Sequence, residues 1–210
     1  MKRYDLHTHT NHSKCSNMEP SILLKQAKKL KLDGIAVTDH NTINGALKIR
    51  KLNKDKEFEV IVGNEIKTEY GDVILYYTND EFGPANLLDV LDKAKEQDAI
   101  VAIPHPFRTP HHLSFKYDIE KIKNRIHAIE CFNSRTLPGD NKKADKLAEN
   151  LKLAKTGGSD SHFEFEIGKA QTIFDGDLRK AIKSKSTVVK GTILFGPVGG
   201  LVSFMRNRVL

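Results

Sequence analysis

The chain has 210 residues, 39% hydrophobic and 29% charged, with a formal net charge of +7. That length accommodates one α/β domain burying roughly 70% of its unfolded surface, and the composition excludes a disordered chain or a coiled coil. The 2 cysteines, Cys15 and Cys131, define no disulfide framework, and the positive charge favours anionic partners such as phosphate esters or nucleic acid.

No apolar stretch approaches the ~20 residues of a membrane span, and the opening MKRYDLHTHT lacks the apolar core of a signal peptide. A cytoplasmic protein without a membrane partner is expected. Short apolar runs alternate with helical patterns, which is how a mostly parallel sheet with crossover helices reads. A first strand is predicted over 3–7, followed by a loop and a helix opened by Pro20, with Ile22, Leu23, Ala27 and Leu30 at helical spacing. Residues 34–38 form a short buried strand, and Asn41 or Thr42 caps a helix carrying Ile43, Ala46 and Leu47. Strands over 59–66 and 73–77 are joined by the tight connection Tyr70, Gly71, Asp72. Pro84 opens a helix with Leu87, Leu88, Leu91 and Ala94 on its apolar face. Further strands are predicted over 99–103, 128–132 and 153–156, separated by helical segments near 117–124 and 140–151. From Ile167 the chain reads as a strand, a short helix over 178–183 and an apolar, glycine-rich end.

No linker, repeat or low-complexity tract interrupts this course. Residues 1–210 are therefore expected to form one domain, with a core over about 1–181 and a tail over 182–210 packed against it. About seven strand–helix units point to a closed or nearly closed barrel; an open, doubly wound sheet leaves the same local pattern. In both, chemistry gathers at the C-terminal ends of the strands.

Metal-competent residues sit where these strands stop. The first ends in Asp5, Leu6, His7, Thr8, His9, and residues two apart share a face of an extended chain, so His7 and His9 can reach one ion. The second ends in Thr38, Asp39, His40; the third carries Glu65 in an otherwise apolar run; the fifth ends in Pro104, His105, Pro106; the seventh ends in Asp160, Ser161, His162. Each group alone has an ordinary explanation as a surface histidine, a helix start or a polar loop. Five such groups at the same end of five strands do not. Imidazoles and carboxylates without thiolates suit Zn²⁺, Mn²⁺ or Fe²⁺, and His7, His9, His40, Glu65, His105, Asp160 and His162 are too many for one tetrahedral ion. At least two ions are implied, and Glu65 is of the type that bridges them.

The motifs DLHTHT, GIAVTDH, GNE, PHP and GGSDSH, in this order and spacing, resemble the PHP (polymerase and histidinol phosphatase) superfamily from Met1 to about Ala181. The resemblance implies a single-domain, distorted (β/α)7 TIM-like barrel and a metal-dependent phosphoesterase with two or three divalent ions at its mouth. It implies His7, His9, Glu65 and Asp160 around one ion, Glu65 and His105 on a second, and His40 and His162 on a third. Many relatives have an additional ligand in the loop after the first histidine pair, where this chain offers His12 or Cys15. Some also have a histidine near the end of the sixth strand; here that stretch holds Cys131, expected to pack as a core thiol.

The reaction so implied is hydrolysis of a small phosphate ester, nucleotide-type first, by a metal-activated hydroxide. Asp160, Glu65, His40 and Arg135 are the expected catalytic residues, and Arg108 and Arg135 the arginines expected to fork onto phosphate. His12, His111 and His112 are expected to face solvent. Histidinol phosphate, a DNA end, and a non-catalytic RNA-binding barrel are the alternatives. A nearly complete ligand set argues against the last, so a small-molecule partner ranks ahead of nucleic acid.

Overall fold

Seven strands follow one another around a sheet that nearly closes on itself, in a computed structural model describing residues 1–193. The strands are β1 (Lys2–Thr8), β2 (Gly34–Val37), β3 (Glu59–Thr68), β4 (Gly71–Tyr76), β5 (Ile100–Ile103), β6 (Ala128–Asn133) and β7 (Ala154–Gly158). Helices α1 (Pro20–Lys29), α2 (Asn44–Leu52), α3 (Leu87–Glu96), α4 (Ile119–Ile122) and α5 (Pro138–Leu151) fall between them. After β7 come β8 (Ala170–Phe174), α6 (Leu178–Lys183) and β9 (Val188–Gly191). The sheet order is β7-β6-β5-β4-β3-β2-β1-β8-β9. This is the single-domain, TIM-like barrel expected from the sequence.

Closure differs at the two ends. Beyond β7 the chain docks on β1, with Asp160 N–H donating to the His7 carbonyl (2.8 Å) and His9 N–H donating to the Ser161 carbonyl (3.0 Å). Gly158 permits that approach, since a Cβ there would stand 2.2 Å from the His7 Cβ. At the other end β8 is antiparallel to β1, with Lys2 opposite Phe174 and Tyr4 opposite Thr172. One crossover lacks a helix: β3 and β4 form a hairpin, and β4 runs antiparallel to both β3 and β5. Its N-terminal end therefore lies where the other barrel strands finish.

Period-two alternation sorts the strand side chains. Tyr4, Leu6, Ala36, Ile61, Ile74, Tyr76, Ala102 and Ala128 fill one cluster. Their sequence neighbours Ile35, Val37 and Val62 pack with Leu23, Ala27, Ala46 and Ile49 of α1 and α2. Val101, Ile103 and Ile129 pack with Leu87, Val90, Leu91, Ala144 and Ala148 of α3 and α5. Each fully buried leucine or isoleucine contributes about 1.5–3 kcal/mol by leaving water.

Two helix starts differ from the sequence reading. Asn41 takes a left-handed φ of 57° and α2 begins at Asn44 behind Ile43, which offers no side-chain cap; of the two expected residues it is Thr42 whose Oγ accepts from the Asn44 N–H (3.2 Å). Pro84 stands outside α3: Ala85 N–H is tied to the Lys67 carbonyl (3.2 Å), and the first helical N–H, of Leu87, donates to Glu69 Oε2 (2.9 Å). Of the tail expected over 182–210, residues 188–191 extend the sheet as β9, and residues 194–210 lie outside the described residues. Among the described residues no helix is long and apolar enough to cross a membrane.

Candidate metal centre

At the end where β1, β2, β5 and β7 finish, the side chains of His7, His9, His40, Glu65, His105, Asp160 and His162 meet. Except for His40, whose side chain is 35% exposed, they are buried, with His7 and His9 at 0%. The register between β1 and β2 slips between Asp5 and Thr8, beside the histidine pair, as strands often do next to functional sites. His105 (φ 30°) and Asp160 (φ 54°) take left-handed backbone conformations, which cost a non-glycine residue on the order of 1 kcal/mol.

Glu65 is the hub. Its Oε2 lies 3.3 Å from His7 Nε2, 3.3 Å from His9 Nε2 and 3.2 Å from His40 Nδ1, and its Oε1 lies 3.2 Å from His105 Nε2. Asp160 Oδ1 stands 3.4 Å from His9 Nε2, 3.7 Å from His7 Nε2 and 3.6 Å from His162 Nδ1. The Nε2 atoms of His7 and His9 face each other at 3.1 Å. Two ring nitrogens so placed, beside two desolvated carboxylates, need a cation or a proton between them. The donor set of imidazole nitrogen and carboxylate oxygen, closely spaced and shielded from water, fits the divalent ions expected from the sequence. Groups able to share one ion include His7, His9 and Glu65; His9, Asp160 and His162; and His9, Cys15 and His40.

The charges of these residues on one another favour protonation of two of the rings. Burial opposes protonation of His7, but Glu130, Glu65 and Asp160 outweigh it and hold the ring well above the usual histidine range. His9 is likewise raised to about 9, with hydrogen bonding to Asp160 and Glu65 overcoming burial. Burial would raise Glu65 and Asp160; the positive charges of His40 and His7 on the first, and of His7 and Arg108 on the second, hold both well below the carboxylate range. His162 is pushed the other way, by burial and by the neighbouring His9, and stays neutral.

A surrounding layer fixes these groups, and the sequence reading passed over most of it. Glu130, buried in β6, accepts from His7 Nδ1–H (2.9 Å), from the His105 backbone N–H (2.9 Å) and from Asn133 Nδ2 (3.0 Å). With Nδ1–H committed to Glu130, Nε2 is the atom left facing the cluster, where an ion displacing its proton would be bound, as in carboxylate–histidine–metal arrangements. Asn133 Nδ2 also reaches Asp160 Oδ2 (3.3 Å). Asp5 accepts from Ser159 N–H, Ser159 Oγ–H and Gly168 N–H, yet burial still raises it to about 6. Asp39 accepts from Thr10 and Ser13 and so shapes the loop after His9.

The remaining expected residues fall in different places. Arg108 Nη1 donates to Asp160 Oδ2 at 3.0 Å from the rim. Arg135 is buried, its Nη1 against His162 Nδ1 and its Nε 3.5 Å from Glu166 Oε1, directly behind a member of the cluster. His12 is exposed and joins none of the ligand groups among the described residues, unlike Cys15. His111 and His112 are exposed in a short turn at 111–113. Cys131 packs in the core, its thiol against the carbonyls of Ile129 and Ala144. The signal that could have found Glu130 is the one that found Glu65, an acidic residue inside an apolar strand.

Comparison with known proteins adds the following. The family model described as PHP domain matches residues 5–170. An uncharacterized protein of Methanocaldococcus jannaschii, MJ0417, is 36% identical over 179 residues, 82% of this chain and 70% of its own. A second uncharacterized protein of that organism, MJ1587, is 36% identical over 115 residues, 49% of this chain and 67% of its own. Among solved structures, PsfC from Pseudomonas syringae PB-5123 superposes with a TM-score of 0.69 at 22% identity, covering 100% of this chain and 99% of its own. A protein of Bifidobacterium adolescentis assigned as a metal-dependent phosphoesterase gives 0.65 at 15% identity over 77% of this chain and 88% of its own. Endonuclease Q, solved with an abasic-site duplex, gives 0.65 at 19% identity over 87% of this chain and 56% of its own. Likenesses this remote in sequence establish the fold alone.

Proposed function

The chain belongs to the PHP domain family, and from that premise we propose that it is a metal-dependent hydrolase of small phosphate esters, of nucleotide type. The observation that carries the reading is the convergence of imidazoles and carboxylates from five separated stretches of chain on one buried cluster around Glu65 and Asp160. We assign His7, His9, Glu65 and Asp160 to one ion, Glu65 and His105 to a second, and His40 and His162 to a third, with Cys15 beside His40 as its additional donor. Divalent ions held there would supply Lewis acidity toward phosphoryl oxygens and lower the pKa of water.

The chain's own groups divide the remaining work. Arg108 stands at the rim with its guanidinium already on Asp160, placed to fork onto a phosphate entering the mouth. His40, the most exposed of the ligands, lies nearest to solvent and so to an arriving substrate. Arg135 holds His162 in place. Glu65 and Asp160 keep the imidazoles oriented and balance their charge. The burial of every histidine and carboxylate assigned above except His40 favours a terminal phosphate on a small molecule over an internal linkage of a duplex.

The test is phosphate release from nucleoside monophosphates, bisphosphorylated nucleotides, histidinol phosphate and single-stranded oligonucleotides, before and after chelation. Nucleotides are expected to be hydrolysed, with turnover lost on chelation and restored by Mn²⁺ or Zn²⁺. Turnover that survives chelation overturns the metal-dependent reading, and preference for the oligonucleotide overturns the small-ester reading.

A further inference from the structure

One acidic side chain at the mouth has no role in the assignments above. Asp72 stands at the start of β4 and is partly buried. One of its carboxylate oxygens, a Glu65 oxygen and a His105 ring nitrogen all lie within 4.8 Å of one another. Glu65 Oε1 and His105 Nε2 are themselves 3.2 Å apart. Among the described residues no hydrogen bond or ion pair holds the Asp72 carboxylate. Arg108, the arginine whose charge reaches Asp72, is engaged with Asp160. A carboxylate set beside another carboxylate, partly out of water and with no donor of its own, is costly unless a cation lies between them.

The hairpin presents Asp72 there firmly. Thr68 Oγ donates to the Gly71 carbonyl (2.6 Å), and Lys116 N–H donates to the Tyr70 carbonyl (2.7 Å). Gly71 takes a φ of 123°, open only to glycine, and a Cβ on it would stand 3.1 Å from the Phe115 Cα. The turn is thus pinned from both sides. Because β4 alone among the barrel strands is antiparallel, it is the start of this strand, and not its end, that reaches the mouth.

We propose that Asp72 is a ligand of the second metal ion, sharing it with Glu65 and His105. The inference rests on the phosphoesterase reading only in requiring that ions bind at the mouth. Two carboxylates and one imidazole make this subsite richer in oxygen than the His7–His9 side, which suits Mn²⁺ as the probe.

The experiment is a Mn²⁺ titration of the metal-stripped full chain, followed by the electron paramagnetic resonance of free Mn²⁺, which reads the number of sites and the affinity of each. The unsubstituted chain is expected to take up at least two ions. Asp72→Asn and His105→Ala are each expected to weaken the same one of them by about tenfold or more, leaving the other unchanged. His9→Ala is expected to weaken the other ion instead. The double variant Asp72→Asn/His105→Ala is expected to fall short of the product of the two single effects, because both ligands serve one ion. Should Asp72→Asn fail to fold, Asp72→Ser and Asp72→Glu take its place, the serine losing the ion and the glutamate keeping it. Two ions bound with unchanged affinity in Asp72→Asn, or both weakened equally, overturns this assignment alone. Absence of any Mn²⁺ uptake by the unsubstituted chain overturns the metal reading with it.

Discussion

At the mouth of the barrel, ionisable side chains are buried and in contact: His7 and Glu65, 3.3 Å apart, are 0% and 1% exposed. At the opposite end, ahead of β6 and β7 and after α6, Lys123, Lys152, Lys183 and Lys185 ring a cavity of about 390 Å³ floored by Ile126, Leu151, Leu153 and Ile182. There the charges stay in water. Lys183 and Asp98, paired at 3.0 Å, are 45% and 73% exposed. Much of the chain's positive charge is therefore ordinary solvated surface, whereas its chemistry lies where charge has been taken out of water and must be balanced within the protein.

The largest contrast expected between the two ends is in activity. His7→Ala or Asp160→Ala removes a ligand from the shared cluster and is expected to lower kcat/KM for the best phosphate ester by about 10³-fold or more, with loss of bound metal. The double variant Lys152→Ala/Lys185→Ala at the far end is expected to stay within about twofold. Phosphate-release kinetics paired with elemental analysis decide the matter. A far-end defect as large as the mouth defect would erase the distinction.

Acid–base behaviour sharpens it. In the metal-free chain His9 binds its proton more tightly than an unfolded histidine does, with a pKa of about 9. A raised histidine contributes stability fully below its unfolded pKa of about 6.5 and loses that contribution as pH rises through its folded pKa. The metal-free protein is accordingly expected to lose stability between pH 6.5 and 9.5. Metal competes with the same proton, so apparent Mn²⁺ affinity is expected to rise over that range, by up to about tenfold per pH unit. Thermal melts without Mn²⁺ should therefore fall across these pH values, while melts with saturating Mn²⁺ stay nearly level, because the gain in metal affinity offsets the loss. Parallel slopes would mean that His9 is not where the proton and the ion exchange.

How much of this was legible in the sequence depends on the strand. The parallel strands announce their ligands, because apolar runs that stop in His-x-His, Asp-His or Asp-x-His put metal donors where barrel chemistry gathers. Asp72 escapes that rule, since it begins an antiparallel strand and reads locally as part of a turn. The start of α3 escapes for a related reason: the donor at Leu87 is satisfied by Glu69, from the hairpin before it, so the local sequence carries no cap. The contacts of Arg135 with Glu166 and His162 come from residues 27 or more positions further on, so nothing in its local sequence marks them.

A smaller effect is expected from Glu130, which touches no ion in the assignments above. All three of its partners, His7 Nδ1–H, the His105 N–H and Asn133 Nδ2, are donors. Glu130→Gln keeps the shape but turns one acceptor into a donor, so at least one of these contacts is lost or forces His7 into the other tautomer. Metal affinity is expected to fall about 10- to 100-fold, as when other outer carboxylates behind ligating histidines are lost, with the fold retained. Chelator competition measures this, and an unchanged affinity would show that His7 is held by its own ring packing.

The smallest effect is expected at the far end. Lys183 Nζ lies 3.0 Å from Asp98 Oδ1, and Arg179 Nη1 lies 3.0 Å from Asp98 Oδ2, so Asp98 keeps a partner when the lysine is removed. Both side chains of the Lys183 pair are open to water, where high dielectric and salt reduce the attraction and ordering the long lysine offsets part of it. Lys183→Ala is expected to shift the melting temperature by less than about 2 °C, to lose even that shift in 1 M salt, and to leave Mn²⁺ uptake unaltered. The mouth should show the reverse, since its ion contacts are shielded from bulk solvent and screened far less. A salt-resistant shift at Lys183 well above that size would place a desolvated charge at this end too, and burial would no longer separate the two ends.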